Sequence, residues 1–508
     1  MKQILTLSTL LVFLFSGISY SQQPLKKIEK KDTKSKTKNN VVHPTTIEEG
    51  TFLGITRPLR ELSKIDSINI PRSILFNYNE ELKERNYPFS ETALPKGKDP
   101  ILQYKNGILN NSKALLQVWE GQAMAGGQPT DANGSVNSKY YFQMINSTYE
   151  IYDKNKNSII SGNINTLFNG VTGANRNDGD PIVLYDEQAD RWFISEFSVP
   201  SMIIGSGNDY MLIAVSVTND PTGSYYAYSF DVDDGPDYPK FGIWQDGYYM
   251  GLNSSNDDIY VFERSVILTG GANPKMAGFN NPNRPNSGFH CVPPADNDGT
   301  FAPTGEPGIF VTINDDAWGG SDQLWIFELD VDWNTLESST FSRVQTLNVP
   351  VFDSNLGSGW DNIAQRNTSQ ELDGIPQIIM NRPQYRNFGG GDERIVCCHS
   401  VDVDNSDHAG VRWYELQKSG GTWSIRQNGT YAPDGHSRWM GSIAENGSHE
   451  IAIGYSISSS SLYPGIRYCG QSSSENASAS GNMDIAETTI FNGSVSQTNG
   501  NRWGDYSN

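Results

Sequence analysis

Short apolar runs alternate with turn-forming residues along most of the chain. From residue 114 onward, runs of Val, Ile, Tyr, Phe and Trp are separated by Gly, Asn, Asp and Pro, and helical periodicity is almost absent. Runs of this length and composition, bounded by turn residues, are typical of β-strands. The pattern predicts an all-β domain, with strands at 140–145, 149–152, 192–195, 212–217, 225–232, 308–313 and 377–380.

One segment of this pattern repeats. Residues 438–443 (RWMGSI) are echoed at 502–507 (RWGDYS), and looser echoes lie at 179–182 and 237–242. Together with the strand spacing, they place repeat starts near residues 130, 180, 238, 305, 374, 438 and 502, at intervals of about 50 to 69 residues. Such an interval holds four strands with long loops, the size of a propeller blade. We therefore expect a β-propeller of about six to seven blades, with an incomplete blade at the carboxy terminus.

Two other all-β folds fit the pattern less well. A β-sandwich has shorter and more even strand spacing around a single core, which fits poorly beyond about 250 residues. A β-helix has a far shorter repeat. The repeat length therefore favours the propeller over both.

The first 113 residues differ from the rest in composition. Residues 1–21 combine Lys2, a short apolar core and small residues near position 21, which predicts a secretory signal peptide. Residues 22–40 carry seven lysines and few apolar side chains, so we expect a disordered Lys-rich linker. Residues 41–113 are mixed in character, with a helix expected near 79–85, and form an N-terminal extension. Residues 114–508 are the predicted propeller.

The charge of the chain narrows the range of partners. The formal net charge is −20, which repels nucleic acid because nucleic-acid binding depends on neutralising phosphates. No later segment is apolar enough to span a membrane. With the signal peptide, these features predict a protein that is secreted or held at the cell surface. The four cysteines, Cys291, Cys397, Cys398 and Cys469, allow three disulfide pairings, among which the sequence does not choose.

Several longer motifs resemble those of a widespread family of secreted bacterial β-propeller proteins. The motifs are GDPIVLYDEQADRWFISEF (179–197), NDPTGSYYAYSF (219–230), DYPKFGIWQDGYYM (237–250), GVRWYEL (410–416), NGTYAPDGHSRWMGSIA (428–444), GYSISSSSLYPGIRY (454–468) and RWGDYS (502–507). The resemblance covers about residues 115–508. It implies the fold and export but no reaction, because the family has no assigned activity. Members continue past RWGDYS, so the resemblance implies a shortened chain.

Charged and aromatic residues recur at equivalent points of the repeat. Asp180, Asp237, Arg438, Trp439 and Asp505 are expected near the start of an innermost strand, where the blades surround the central channel. There they would form a polar binding funnel for a ligand. The alternative is that each residue ties one blade to the next, since a blade contact is needed in every repeat whereas a catalytic group is needed once.

Clusters of aspartates suggest a calcium site. Asp402, Asp404 and Asp407 form the densest group of carboxylates, and Asp231 with Asp233 forms the next. Alternate residues of a strand face the same side, so such pairs suit a cation. Neither group follows the EF-hand pattern. The alternative is that they are exposed turn aspartates.

No complete catalytic motif occurs, so the leading hypothesis is a non-catalytic propeller that binds glycan or cell-surface partners, with Ca²⁺ as the one cofactor considered. Abundant aromatic residues beside Asp, Asn and Arg suit carbohydrate stacking. The opposing hypothesis is a polysaccharide-degrading lyase or hydrolase at the channel mouth. It would use Tyr385, His436 and Asp434 as acid–base groups. A third possibility is a purely structural surface-layer or matrix component.

Overall fold

The computed structural model describes residues 41–62, 93–109, 117–123, 129–168, 177–201, 207–232, 235–284, 289–357, 361–380 and 382–508. The predicted signal peptide (1–21), Lys-rich linker (22–40) and helix near 79–85 lie outside these residues. The described residues belong to one compact unit.

Within the described residues, four short strands precede the first complete sheet. They are β1 (Val41–Val42), β2 (Thr46–Glu49), β3 (Thr51–Ile55) and β4 (Leu102–Gln103). The remaining described strands form six larger sheets, which we number I to VI in chain order, and one sheet of two strands.

Sheets I to III each contain four consecutive strands. Sheet I comprises β5 (Asn133–Val136), β6 (Tyr140–Ile145), β7 (Thr148–Asp153) and β8 (Ser158–Asn163). Sheet II comprises β9 (Gly179–Asp186), β10 (Arg191–Ser198), β11 (Asp209–Ser216) and β12 (Tyr225–Val232). Sheet III comprises β13 (Asp237–Ile243), β14 (Gly247–Asn253), β15 (Ile259–Glu263) and β16 (Lys275–Phe279).

Sheets IV to VI follow after β17 (Asp296–Asp298). Sheet IV has β18 (Gly308–Asn314), β19 (Gln323–Asp330) and β20 (Thr340–Asn348). A two-stranded sheet of β21 (Asp361–Ile363) and β22 (Leu372–Asp373) comes next. Sheet V has β23 (Gln384–Gly389), β24 (Asp392–Asp402), β25 (Ala409–Ser419) and β26 (Thr422–Tyr431). Sheet VI has β27 (Ser437–Glu445), β28 (Ile451–Ser459), β29 (Leu462–Gln471) and β30 (Ile485–Asn492).

Helix is scarce among the described residues. Two short α-helices, α1 (Arg264–Ile267) and α2 (Ser473–Ser478), and the short 3-10 helices Leu59–Glu61, Ile164–Leu167, Asp316–Trp318 and Leu336–Ser338 lie in connections. None of the helices in the described part of the chain is long and apolar enough to cross a membrane.

The sheets pack face to face in chain order, as in a β-propeller. Aromatic side chains join one sheet to the next: the ring centroids of Phe142 and Trp192 lie 5.6 Å apart between sheets I and II. Those of Phe193 and Phe241 are 4.9 Å apart between sheets II and III. First strands of neighbouring sheets also contact each other, β5 with β9 and β9 with β13, which places them innermost. The all-β propeller class predicted from the sequence is therefore confirmed.

The expected six to seven blades are not confirmed. Five sheets, I, II, III, V and VI, carry four strands from one continuous segment, whereas sheet IV has three such strands and takes its fourth from β1. No sheet begins near residue 374, and 377–380, expected to be a strand, is irregular. Residues 501–508 form no strand either, and they lie against the start of sheet I, where the backbone N–H of Asn508 donates to the carbonyl of Ala132 at 3.3 Å.

The N-terminal extension covers the outer edges of four sheets. Strand β1 pairs with β20, β2 with β16 and β3 with β12, all antiparallel, and β4 pairs with β26 in parallel. An outermost strand otherwise leaves a row of backbone N–H and C=O groups open to pairing with another chain. Residues 41–55, which we term the edge belt, protect three consecutive sheets in this way.

The four cysteines are free thiols with buried side chains. Burial raises the pKa of Cys291 and Cys397 to about 12, so both are neutral and unreactive at ordinary pH. Disulfide bonds therefore do not stabilise this fold, and the hydrophobic contacts between sheets carry its stability.

Candidate functional site

Three of the repeated motifs share a backbone irregularity near the start of an inner strand. Asp180, Tyr238 and Met440 all adopt left-handed conformations, with φ of 48°, 55° and 51°. A register shift follows between Asp237 and Lys240 in β13, and another between Trp439 and Ser442 in β27. Such bulges turn the strand and redirect its side chains. They bring the acidic groups of different sheets towards one another.

Three of the predicted ligand-binding residues, Asp180, Asp237 and Asp505, meet in this way. They lie with Lys240 and Arg502 in a buried group that we term the axial cluster, whose members are 1–7% exposed. Asn253 Nδ2 donates to Asp237 Oδ2 at 3.1 Å, and the side chain of Arg502 forms an ion pair with that of Asp505. The backbone N–H of Asp505 donates to Asp131 Oδ1 at 2.9 Å, which joins the chain end to sheet I.

Burial governs the electrostatics of the axial cluster. Burial, and next the charge of Asp180, raise the pKa of Asp237 to about 7. Burial also lowers the pKa of Lys240, whose Nζ lies 3.4 Å from the ring centroid of Tyr238 and 3.7 Å from that of Tyr506. Because these charged groups are almost completely shielded from solvent, the arrangement suits a tie between sheets.

The other two predicted ligand-binding residues lie elsewhere. Arg438 is fully buried, and its guanidinium pairs with Asp434 at 2.9 Å and with Glu487 at 2.8 Å. Trp439 is also buried, and its ring centroid lies 6.2 Å from that of Trp503. These contacts hold the inner strand of sheet VI to its outer strand and to residues 501–508.

The structure does not bring all three predicted catalytic residues together. Asp434 accepts a hydrogen bond from the backbone N–H of His436 at 2.9 Å, so these two share a turn. Tyr385 belongs to a separate buried group, where its hydroxyl donates to Glu393 at 2.7 Å and its ring packs against Trp244. The side chain of His436 contacts the hydroxyl of Ser459 at 2.9 Å.

The predicted metal ligands have protein partners. Asp402 accepts backbone N–H groups from residues 404–407, at 2.9–3.4 Å, so its carboxylate organises a turn. Asp404 accepts from the hydroxyl of Ser406 at 2.5 Å, and Asp407 lies at the end of the same turn. Asp231 accepts from Asn208 Nδ2 at 2.6 Å, and Asp233 lies outside the described residues.

A different acidic group has the spacing of a metal site. Carboxylate oxygens of Asp315, Asp316 and Asp322 lie within 4.8 Å of one another. Burial raises the pKa of Asp315 to about 7 and that of Asp322 to about 6. Sequence reasoning missed this group because a pair of adjacent aspartates and a third six residues on match no ligand motif.

A cavity of about 580 Å³ lies on sheet VI. Binding sites for small organic ligands commonly measure about 300–1,000 Å³. One part is apolar and includes the exposed residues Leu109, Ala444 and Ala452, with the ring of Tyr468 beside them. Another part carries the polar residues Gln384, Arg386, Glu445, Asn446 and Glu450.

The polar part of the cavity includes Glu445, whose carboxyl group is 1% exposed and has an unusual pKa. Glu445 Oε1 accepts from Arg394 Nη1 at 3.2 Å and contacts His449 Nδ1 at 2.8 Å. Burial, and next the charge of Glu415, raise the pKa of Glu445 to about 8 despite the guanidinium of Arg394. A cavity that combines apolar walls with a shifted carboxyl group is the strongest candidate site in the described chain. None of its polar residues was singled out from the sequence, because no motif marks them.

Comparisons with known proteins identify no family. No family model matches the chain, and no curated protein matches it. Similar solved structures include an endo-arabinase from Bacteroides thetaiotaomicron, with 11% identity, a TM-score of 0.26 and coverage of 56% of this chain and 92% of that one. The WD40 domain of SCAP from fission yeast has 9% identity, a TM-score of 0.30 and coverage of 66% and 72%.

An exo-β-1,3-galactanase from Phanerochaete chrysosporium is similar at 11% identity, with a TM-score of 0.28 and coverage of 69% and 79%. Identities and TM-scores this low say nothing about the activity of this chain.

Proposed function

We propose that this protein is a secreted, non-catalytic propeller that binds glycan in the cavity on sheet VI. The observation that carries the proposal is the cavity itself, about 580 Å³ in volume, which is lined by both apolar and polar residues. A sugar has the same two-sided character, since its ring faces are apolar and its hydroxyls are polar.

The side chains of the cavity match this ligand class. Tyr468 offers an aromatic ring on which a pyranose can stack. Asn446 and Arg386 offer planar hydrogen-bonding groups of the kind that orient hydroxyls. Ala444 and Ala452 are small, so they leave the sheet surface open beside the ring.

Filling the cavity tests the proposal. Ala452 is exposed, so Ala452→Trp occupies the space without disturbing the core. We expect this variant to lose glycan binding by at least about ten-fold on a glycan array and by calorimetry. Thr489→Trp is the matched control, because Thr489 is an exposed residue of the same sheet that does not line the cavity. Equal affinities of the two variants would reject the cavity as the site.

A polysaccharide-degrading enzyme is the second candidate, favoured by one observation. Glu445, with its pKa of about 8, is protonated at neutral pH, as a general acid must be, and Glu450 lines the same cavity. Release of reducing ends by the wild-type protein, lost in Glu445→Gln with binding retained, would establish catalysis. If no bound glycan released reducing ends, the non-catalytic glycan-binding function would stand.

We also propose that calcium binds one of the aspartate groups. The turn at Asp402, Asp404 and Asp407 and the cluster Asp315, Asp316 and Asp322 supply the oxygen ligands that calcium prefers. Melting with and without a chelator tests this, because a ligand that binds only the folded state raises the midpoint. An unchanged midpoint would exclude a stabilising ion.

Export and the size of the ring are further proposals. Export by residues 1–21 predicts that the mature protein begins at Gln22, which amino-terminal sequencing of culture supernatant would test. A ring of six blades is supported by sheet IV, which reaches four strands once β1 is included. An experimental density map with five or seven sheets would exclude it.

A further inference from the structure

Arg386 is distinctive among the polar residues of the cavity. Its Nη1 donates to the carbonyl of Glu445 at 3.4 Å, and its guanidinium lies 5.9 Å from the ring centroid of Phe388. No carboxylate of the described residues lies within 4.0 Å of its nitrogens. The side chain is only half-buried, so part of the guanidinium faces the cavity.

Neighbouring arginines are paired. Arg382 pairs with Asp296 and Asp298, Arg394 with Glu415 at 2.5 Å, and Arg426 with Glu415 at 2.8 Å. Asp298 is the cross-strand partner of Arg386, but its carboxylate accepts from Arg382 at 2.8 Å and from Gln384 Nε2 at 2.5 Å. Arg386 therefore keeps N–H donors for a group from outside the protein.

The two acidic residues of the cavity, Glu445 and Glu450, affect the positive charge of Arg386 differently at neutral pH. Glu445 is neutral below about pH 8, so it places no negative charge beside Arg386 there. Glu450 is half-buried, and its Oε2 accepts from Asn446 Nδ2 at 2.8 Å. The negative charge of the whole chain acts from greater distances, where salt screens it beyond about 8–10 Å. Local groups decide what the cavity binds.

We propose that the ligand of this cavity is a glycan carrying an anionic oxygen group, a carboxylate or a sulfate ester, which the guanidinium of Arg386 binds. This inference rests on the proposed glycan-binding function. A guanidinium matches the two oxygens of such a group with parallel N–H donors, a geometry that a neutral hydroxyl cannot satisfy. Glu450 opposes the anion, so its removal strengthens binding.

Three oligosaccharides of equal length and linkage test the assignment: a neutral one, one built of uronic acids and one bearing sulfate esters. Wild-type protein is expected to bind at least one anionic oligosaccharide about ten-fold or more tightly than the neutral one by calorimetry. The two anionic ligands distinguish carboxylate from sulfate. Glu450→Gln is expected to widen the preference.

Arg386→Gln is expected to bring the ratio close to one, because it weakens binding of the anionic oligosaccharides far more than binding of the neutral one. Arg366→Gln is the matched control, since Arg366 is an exposed arginine that stacks on Tyr463 and does not line the cavity. It removes the same formal charge and is expected to retain the preference. A wild-type ratio near one, or one that Arg386→Gln leaves intact, would overturn the inference while glycan binding stands. If none of the three oligosaccharides bound, the proposed glycan-binding function would be rejected instead.

Discussion

At the scale of single residues, Lys240 is one of the two cations, with Arg502, that compensate the carboxylates of the axial cluster. It contacts the rings of Tyr238 and Tyr506 and is 1% exposed. Lys240→Met keeps the chain length but removes the charge, leaving Asp180 and Asp237 with less compensation. Because an uncompensated buried charge costs about 3–5 kcal/mol, we expect a loss of about 3 kcal/mol in the free energy of unfolding, measured in urea.

Lys139→Met is the control for this change, because Lys139 is exposed. Its effect should stay within about 0.5 kcal/mol. A Lys240→Met protein as stable as wild type would mean that the free-energy cost of burying the ammonium group cancels the stabilisation from its contacts.

Asp237 predicts a dependence of stability on pH. Its pKa in the folded protein, about 7, lies above the ordinary aspartate value, so its contribution is fully present below about pH 4 and is lost as pH rises through 7. Between pH 5 and 8 the loss should approach about 2 kcal/mol. The side chain introduced by Asp237→Asn does not titrate. The free energy of unfolding of the wild type should therefore fall relative to that of the variant as the pH rises from 5 to 8.

Denaturation in urea at pH 5 and pH 8 measures the shift. His399, whose burial lowers its pKa to about 3, contributes in the opposite direction but equally in both proteins, so it cancels in the comparison. A pH-independent difference would show that Asp237 is ionised throughout.

The residue scale also limits what the sequence could predict about the site. Repetition placed Asp180, Asp237 and Asp505 near the axis, because a motif that starts every inner strand must lie where the inner strands meet. Arg386 and Glu445 gave no such signal. Their proximity arises from the packing of β23 against β27, and the pKa of Glu445 depends on burial that only the fold creates.

At the scale of elements, strands with regular composition were predictable and long-range pairings were not. Predicted strands 140–145 and 225–232 coincide with β6 and β12. The start expected near residue 374 was wrong, since sheet V opens at Gln384 and pairs in parallel with the distant strand β17. No local pattern in the sequence encodes a partner so far along the chain, and the edge belt was missed for the same reason.

The edge belt predicts a defined effect of truncation. Removing residues 1–55 uncovers the outer strands β20, β16 and β12, and open edges of this kind favour association between chains. We expect a lower melting temperature and oligomers in light scattering after size exclusion. Removing residues 1–40 leaves all three pairings in place and is the matched control. A monomeric protein of unchanged stability after the longer deletion would contradict the protective role.

A single substitution tests the belt more gently. Gly50 lies between β2 and β3, where an added Cβ would be 2.3 Å from the ring of Phe230. Gly50→Ala must therefore displace the edge belt or the ring of Phe230, and we expect it to lower the melting temperature, as the deletion does.

At the scale of the whole molecule, residues 501–508 connect the last sheet to the first without forming a strand. The indole of Trp503 donates to Ser456 in sheet VI at 3.0 Å, and the side chain of Asn508 accepts from the N–H of Gly134 in sheet I at 3.0 Å. Between them, the hydroxyl of Tyr506 donates to the carbonyl of Pro181 in sheet II at 2.9 Å. One short segment thus contacts three sheets, and the axial cluster holds it in place.

Arg502 is the residue on which this connection depends most. Its guanidinium pairs with Asp505 and lies 3.6 Å from Asp373, and both acids are 0–5% exposed. Arg502→Met leaves two buried carboxylates without their cation, so we expect a loss of about 3–5 kcal/mol in the free energy of unfolding. We also expect this variant to accelerate amide hydrogen exchange more in sheets I and VI than in sheets III and IV, because residues 501–508 join sheets I and VI. Arg366→Met, at an exposed position, should leave exchange unchanged. If Arg502→Met accelerated exchange equally in all sheets, residues 501–508 would stabilise the whole molecule rather than specifically join sheet VI to sheet I.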